Sequence, residues 1–195
     1  IGTNRSFADL GNGEDGIKVE KNANVTIGHE LSLDSANFIG FNKGNGINSE
    51  GGLNVYKNYI GVSNYRKIDL NDMAYTSMPN EKNGIEAVRG TIKGNYIGYN
   101  KQNGIELQRG TVEENYIGGI IDLGPIYKFG NGNNGLTING MGIASYVTKN
   151  HFVDNSESGI HITDPYYNPG YDDEIRVTKN LFGGVCRWTT MIMRL

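Results

Sequence analysis

The chain has one cysteine, Cys186, four prolines and one tryptophan in 195 residues. A lone cysteine supports no intrachain disulfide framework, and by itself it fixes no compartment. So few prolines exclude a collagen-like chain or a proline-rich linker. No apolar run is long enough to cross a bilayer as a helix. No Lys/Arg run occurs and the net charge is −3, which excludes an electrostatically driven nucleic-acid partner. Apolar residues make up 37%, below the usual share of a globular domain. What the chain has in excess is glycine, 29 residues, and asparagine, 26 residues. Such a composition reads as disorder unless the residues are strictly placed, and here they are.

Two anchors alternate along the chain without exception. Gly-Ile, once Gly-Leu, occurs at Gly16, Gly46, Gly84, Gly104, Gly135 and Gly159. Asn-x-Ile/Phe occurs at Asn37, Asn58, Asn95, Asn115, Asn150 and Asn180. Within Gly94–Gly118 the segment Asn95-Tyr96-Ile97-Gly98 returns twenty residues later as Asn115-Tyr116-Ile117-Gly118. A period near twenty is too short for paired helices and fits one coil of a β-solenoid. After each Gly the apolar residue recurs two positions on, as in Ile85/Ala87 and Ile105/Leu107, so one face of a short strand is buried. The Asn suits a sharp bend, because it tolerates left-handed backbone, and stacked coils would align its side chains into a ladder. The Gly suits a tight corner. The fold expected is all-β, a right-handed parallel β-helix of about six to seven coils. Ile17, Ile47, Ile85, Ile105, Leu136 and Ile160 should form one buried column, and Ile39, Ile60, Ile97, Ile117, Phe152 and Phe182 another.

Spacing also places the loops. Short Asn-to-Gly connections alternate with long ones at Thr3–Asp15, Val62–Asn83 and Gly119–Asn134, so long loops should leave one corner on alternate coils. Further insertions occupy Val25–Ala36 and Asp164–Glu174. The repeat domain is read as 1–183, with 184–195 a C-terminal cap or a non-repeat tail. Ile1-Gly2-Thr3-Asn4 looks like the end of an incomplete unit. The chain is therefore expected to be a fragment of a longer secreted protein, extracellular or on the cell surface, whose signal peptide lies outside it.

The stretches IGTNRSFADLGNGEDGIKV, TIGH, NFIGFNKGNGI and NYIGYNKQNGIEL resemble right-handed β-helix repeats of the pectate-lyase-like superfamily, in its bacterial secreted "IGT…GNGxxGI…TIGG" subtype. The resemblance covers nearly all of 1–183, with His29 at the second Gly of TIGG and Phe41-Asn42 in place of Gly-Asn as departures. It implies the fold and a range of roles that runs from polysaccharide lyases and glycoside hydrolases to phage tailspikes and non-catalytic surface proteins. The polygalacturonase and lyase signatures are absent from the sequence, so no catalytic residue carries over.

Candidate chemistry lies on the outward strand positions. One residue past each anchor Ile stand Lys18, Asn48, Glu86, Glu106, Thr137 and His161. Glu86 and Glu106 fall on successive coils, about 5 Å apart at the backbone, a spacing that suits a retaining glycosidase pair or a Ca²⁺ ion. Arg89 and Arg109 repeat in step and suit an acidic sugar. The plainer reading is that all four are solvated and duplicated with the repeat, the Arg interleaving with the Glu. Only the long loop Val62–Asn83 is placed to cover the pair. A second column, Phe38, Tyr59, Tyr96, Tyr116 and His151, offers rings to sugar faces, or simply stacks on itself. His29, His151 and His161 show no metal spacing. Asp164, Asp172, Asp173 and Glu174 read as a Ca²⁺ loop or, more plainly, as a solvated acidic one. No other cofactor is implied, and nothing in the sequence speaks to oligomeric state. The function this favours is a structural or adhesive extracellular module that binds polysaccharide on its aromatic or acidic outer face. The alternatives are a polysaccharide lyase or glycoside hydrolase using Glu86 and Glu106, and a tailspike- or fibre-like assembly segment.

Overall fold

The computed structural model describes residues 1–4, 6–66, 73–120, 126–140, 144–163, 174–183 and 188–194. Asp164, Asp172, Asp173 and Cys186 lie outside the described residues.

The first coil holds β1 (Ile17–Val19), β2 (Asn24–Gly28), a 3₁₀ turn at Leu33–Ser35 and β3 (Phe38–Ile39). The second holds β4 (Ile47–Tyr56), β5 (Tyr59–Ile60) and a hairpin of β6 (Val62–Arg66) and β7 (Met73–Ser77). The third holds β8 (Ile85–Lys93) and β9 (Tyr96–Ile97). The fourth holds β10 (Ile105–Glu113), β11 (Tyr116–Ile117) and a hairpin of β12 (Gly119–Ile120) and β13 (Tyr127–Lys128). The fifth holds β14 (Leu136–Asn139), β15 (Ser145–Thr148) and β16 (His151–Phe152). The sixth holds β17 (Ile160–Thr163) and β18 (Glu174–Phe182), and β19 (Trp188–Arg194) follows it.

Three parallel faces result, and the fold is a right-handed parallel β-helix. The first face runs through β1, β4, β8, β10, β14 and β17, with Ile17, Ile47, Ile85, Ile105, Leu136 and Ile160 in one register. The second uses β2, the far halves of β4, β8 and β10, then β15 and β18. The third aligns β3, β5, β9, β11, β16 and the end of β18. Within the three faces each strand pairs with its equivalent one coil on, which is why every anchor recurs in register; among the described residues only the hairpin strands β6/β7 and β12/β13 pair within a coil. Both expected apolar columns line the interior: Ile47, Ile85, Ile105, Leu136, Ile39, Ile60, Ile97 and Ile117 are fully buried. Ile17, Ile160 and Phe182, in the end coils, are half-buried. β19 reverses direction and pairs antiparallel along β18.

Three asparagine ladders bind the coils. In the first, the side-chain amide of each anchor Asn donates to the next, from Asn37 through Asn58, Asn95, Asn115 and Asn150 to Asn180, at 2.8–3.2 Å. The second runs from Asn12 through Asn42, Asn80, Asn100 and Asn131 to Asn155 at 2.8–3.0 Å. In the third the backbone N–H groups of Asn45, Asn83, Asn103, Asn134 and Ser158 donate to the side-chain oxygen one coil earlier, beginning with Asp15, at 2.7–3.1 Å. Buried amides are tolerable only when so fully paired, and chains of such bonds polarise one another.

The reasons for the corners differ from those read in the sequence. The left-handed residue is not the anchor Asn but the one before it: Lys57, Gly94, Glu114, Lys149 and Lys179 have φ of 53–68°. The Asn then donates its amide to the carbonyl two residues back, as Asn95 does to Lys93 at 3.1 Å, and so closes the turn. The anchor Gly is needed for close stacking: a Cβ on Gly84 would stand 2.6 Å from the Gly104 carbonyl oxygen.

The long loops do leave on alternate coils, but they are shorter than the spacing suggests. Gly61 and Gly118, at φ 76° and 84°, turn the chain outward, and the chain returns when Met78 N–H and Phe129 N–H each donate to those glycine carbonyls at 2.8 Å. Met78, Asn80, Phe129 and Asn131 are therefore buried parts of the coils, not loop. Met78 and Phe129 pack against the short coils beside them, where a Cβ on Gly98 would stand 2.1 Å from the Phe129 carbonyl oxygen. The structural unit is thus a pair of coils, one with a hairpin and one with a glycine to receive it.

Candidate functional site

Glu86 on β8 and Glu106 on β10 are in-register partners on the outer side of the first face. The third ladder holds both. The side chains of Asn45, Asn83 and Asn103 spend their oxygens on the neighbouring coil, which leaves their NH₂ groups pointing at the carboxylates. Glu86 Oε2 accepts from Asn45 at 3.1 Å and from Asn83 at 3.4 Å. Glu106 Oε2 accepts from Asn83 at 3.1 Å and Asn103 at 3.2 Å, and its Oε1 from Asn139 at 2.9 Å. One amide, that of Asn83, thus bridges the two acids. The groups that offset this like-charge pair are asparagines, not the arginines expected.

A groove of about 190 Å³ crosses β4, β8, β10 and the end of β14 here, and Glu50, Glu86, Glu106, Asn48, Gln108 and Asn139 supply its polar lining. No cation lines it. Gln108, Glu50 and Asn139 stand two residues beyond Glu106, Asn48 and Thr137, on the next outward column, so period-two alternation alone could have found them. Asn48 is held in turn by Asp15 at 2.8 Å. Thr137, in register with Glu106, is buried, and its hydroxyl has no partner among the described residues. Beyond it His161 Nδ1 lies 3.5 Å from the Asn134 amide. Among the described residues no group of three or more His, Cys, Asp or Glu is placed to hold a metal ion.

Arg89 stands elsewhere. It lines a separate groove of about 300 Å³ on the second face with Asn24, Thr26 and Asn54, and Arg109 is its in-register neighbour. Among the described residues neither arginine makes an ion pair.

The aromatic column is the third location. Phe38, Tyr59, Tyr96 and Tyr116 stack at centroid spacings of 5.0, 4.8 and 4.8 Å, and His151 meets Tyr116 edge-on at 4.7 Å. Both faces of Tyr59 and of Tyr96 are therefore taken by neighbouring rings, and Tyr59 is only 7% exposed. The described hairpin residues meet this column: Tyr75 of β7 stands 6.4 Å from Tyr96, 5.4 Å from Tyr127 and 5.0 Å from Phe129. The two long loops thus meet each other. Burial pushes the Tyr75 and Tyr96 hydroxyls well above the ordinary tyrosine range, and the neighbouring phenols add to it.

The sequence-derived residues therefore fall in three places: an acidic groove, a basic groove around the corner, and a stacked aromatic column under the hairpins. No protein family matches this chain, and no curated protein or solved structure matches it either.

Proposed function

We propose that this chain is a non-catalytic extracellular or cell-surface module of the pectate-lyase-like type, which binds polysaccharide along the acidic groove of its first face. The observation that carries this is the lining itself. Carboxylates and amides from successive coils face one open groove, fixed from below by the third ladder. Such a row suits a repeating polyhydroxylated chain, which meets a hydrogen-bonding residue on each coil. With three carboxylates and no cation among its described lining residues, the groove favours neutral or amino sugars and disfavours polyuronates. Glu86 Oε1, which has no partner among the described residues, is the acceptor best placed for a sugar hydroxyl or ammonium.

The bridged carboxylates also support a second reading, a retaining glycoside hydrolase, because such enzymes hold their two acids about 5 Å apart. Against it, Glu106 has both oxygens occupied by amides, and among the described residues only strand residues, and no loop that could exclude water, line the groove around the two acids. A glycan array run beside a reducing-end assay separates the two. Binding of neutral or amino glycans without new reducing ends is the expected result. Release of reducing ends that Glu106→Gln abolishes would replace the module by the enzyme, and no retention of any glycan would end both readings.

A further inference from the structure

The fold repeats the dipeptide most prone to lose a side-chain amide. The chain contains seven Asn-Gly pairs. In each the glycine N–H can attack the asparagine side-chain carbonyl, unobstructed by a Cβ. Four pairs stand at the anchors: Asn45-Gly46, Asn83-Gly84, Asn103-Gly104 and Asn134-Gly135. There the nucleophile is tied down, for each glycine N–H donates to a carbonyl of the next coil at 2.8–3.0 Å. Gly132 is tied in the same way to Asn100 at 2.8 Å. At Asn139-Gly140 it is the amide that is fixed, donating to Glu106 at 2.9 Å and accepting from Thr163 at 2.7 Å.

Asn12-Gly13 lacks the first restraint and has only half of the second. Asn12 is exposed, and among the described residues its side chain makes a single hydrogen bond, from Nδ2 to Asn42 Oδ1 at 2.8 Å. The Gly13 N–H has no hydrogen-bond partner among the described residues, and nothing lies within 4 Å of the place a Gly13 Cβ would take. We infer that Asn12 is a site of spontaneous deamidation in the folded protein, and that the hydrogen bonds between coils protect the other six pairs. The Gly13 nitrogen forms a bond to Asn12 Cγ and loses its proton; the Cγ–Nδ2 bond breaks and ammonia leaves. Water then opens the cyclic imide to aspartate or isoaspartate. The product lacks the donor that Asn42 Oδ1 accepts and sets a new carboxylate against that oxygen, in a segment that already carries Asp9, Glu14 and Asp15. The reaction thus releases the first rung of the second ladder.

The test is peptide mass mapping, with isoaspartate detection, of the whole chain aged in mildly alkaline buffer, folded and in denaturant. In the folded protein Asn12 converts at least about tenfold faster than any of the four anchor asparagines, which react only through local opening. In denaturant the rates converge. Gly13→Ala, which meets no neighbour, slows Asn12 and leaves the other sites unchanged. Equal conversion at Asn12 and the anchors in the folded state would overturn the inference. So would an unchanged Asn12 rate in Gly13→Ala, or an inert Asn12 over the time in which the unfolded chain converts.

Discussion

Asparagine is the residue on which this molecule depends most, and for two separate tasks. In the first ladder Asn95 donates to Val55, Lys93 and Asn115 and accepts from Asn58, so it closes its own turn and joins three coils. Asn95→Leu fills the same space but leaves several buried carbonyls and N–H groups unpaired. It should cost about 3 kcal/mol or more, measured by denaturant unfolding; a loss under about 1 kcal/mol would show the ladder to be incidental. Ile105→Asn, at a fully buried position, should cost about 2–4 kcal/mol by the opposite error, an amide with no ladder to join. The first ladder was legible in the sequence because its anchors alternate so strictly. The second was equally present, since an Asn stands four residues before every anchor Gly from Asn12 to Asn155. It went unread because in two coils it follows a long loop, and distance counted forward from the first anchor hides it. The left-handed position could not be read at all: Lys, Glu and Gly share no preference there, and it is the Asn amide that closes the turn.

At the scale of elements, each hairpin belongs to the coil it covers. Replacing Ser63–Thr76 by an Asn-Gly turn keeps Met78 and Asn80 and should leave the coils folded, with an intact cooperative melt. A deletion that reaches Lys82 removes both buried residues and should abolish that melt. The hairpin also governs titration. The folded pKa values of Tyr75 and Tyr96 are raised, so their contribution to stability is full below the ordinary tyrosine value and is lost as pH rises through the higher folded one. Absorbance titration should show these phenols ionising after the exposed tyrosines, and in the hairpin replacement Tyr96 should ionise earlier. Coincident titration of all tyrosines in the intact protein would contradict the packing. Spacing revealed that long loops leave these coils, though not that they form hairpins. It could not reveal where they end, because Met78 and Phe129 are single apolar residues among polar ones and carry no periodicity.

Across the whole molecule the three faces divide the labour. Inside, aliphatic columns give a continuous core; outside, one face carries carboxylates, one carries arginine, and the third is roofed by hairpins. The sequence placed Glu86 and Glu106 together correctly, because register follows from the repeat. Arg89, three residues past Glu86, lines the groove of the second face instead, and one-dimensional spacing does not tell which groove a residue meets. At the far end β19 occupies the hydrogen-bonding edge of β18 in the reverse direction. Removing 184–195 frees that edge and should promote concentration-dependent association, seen by light scattering. The groove gives the most direct measurement: calorimetric titration of a neutral or amino-sugar oligosaccharide into wild type, Glu86→Gln and Arg89→Gln. Glu86→Gln should weaken binding by about tenfold, or about 1.4 kcal/mol, while Arg89→Gln leaves it unchanged. Binding that survives Glu86→Gln intact, or that falls only with Arg89→Gln, would place the ligand on another face and contradict the account.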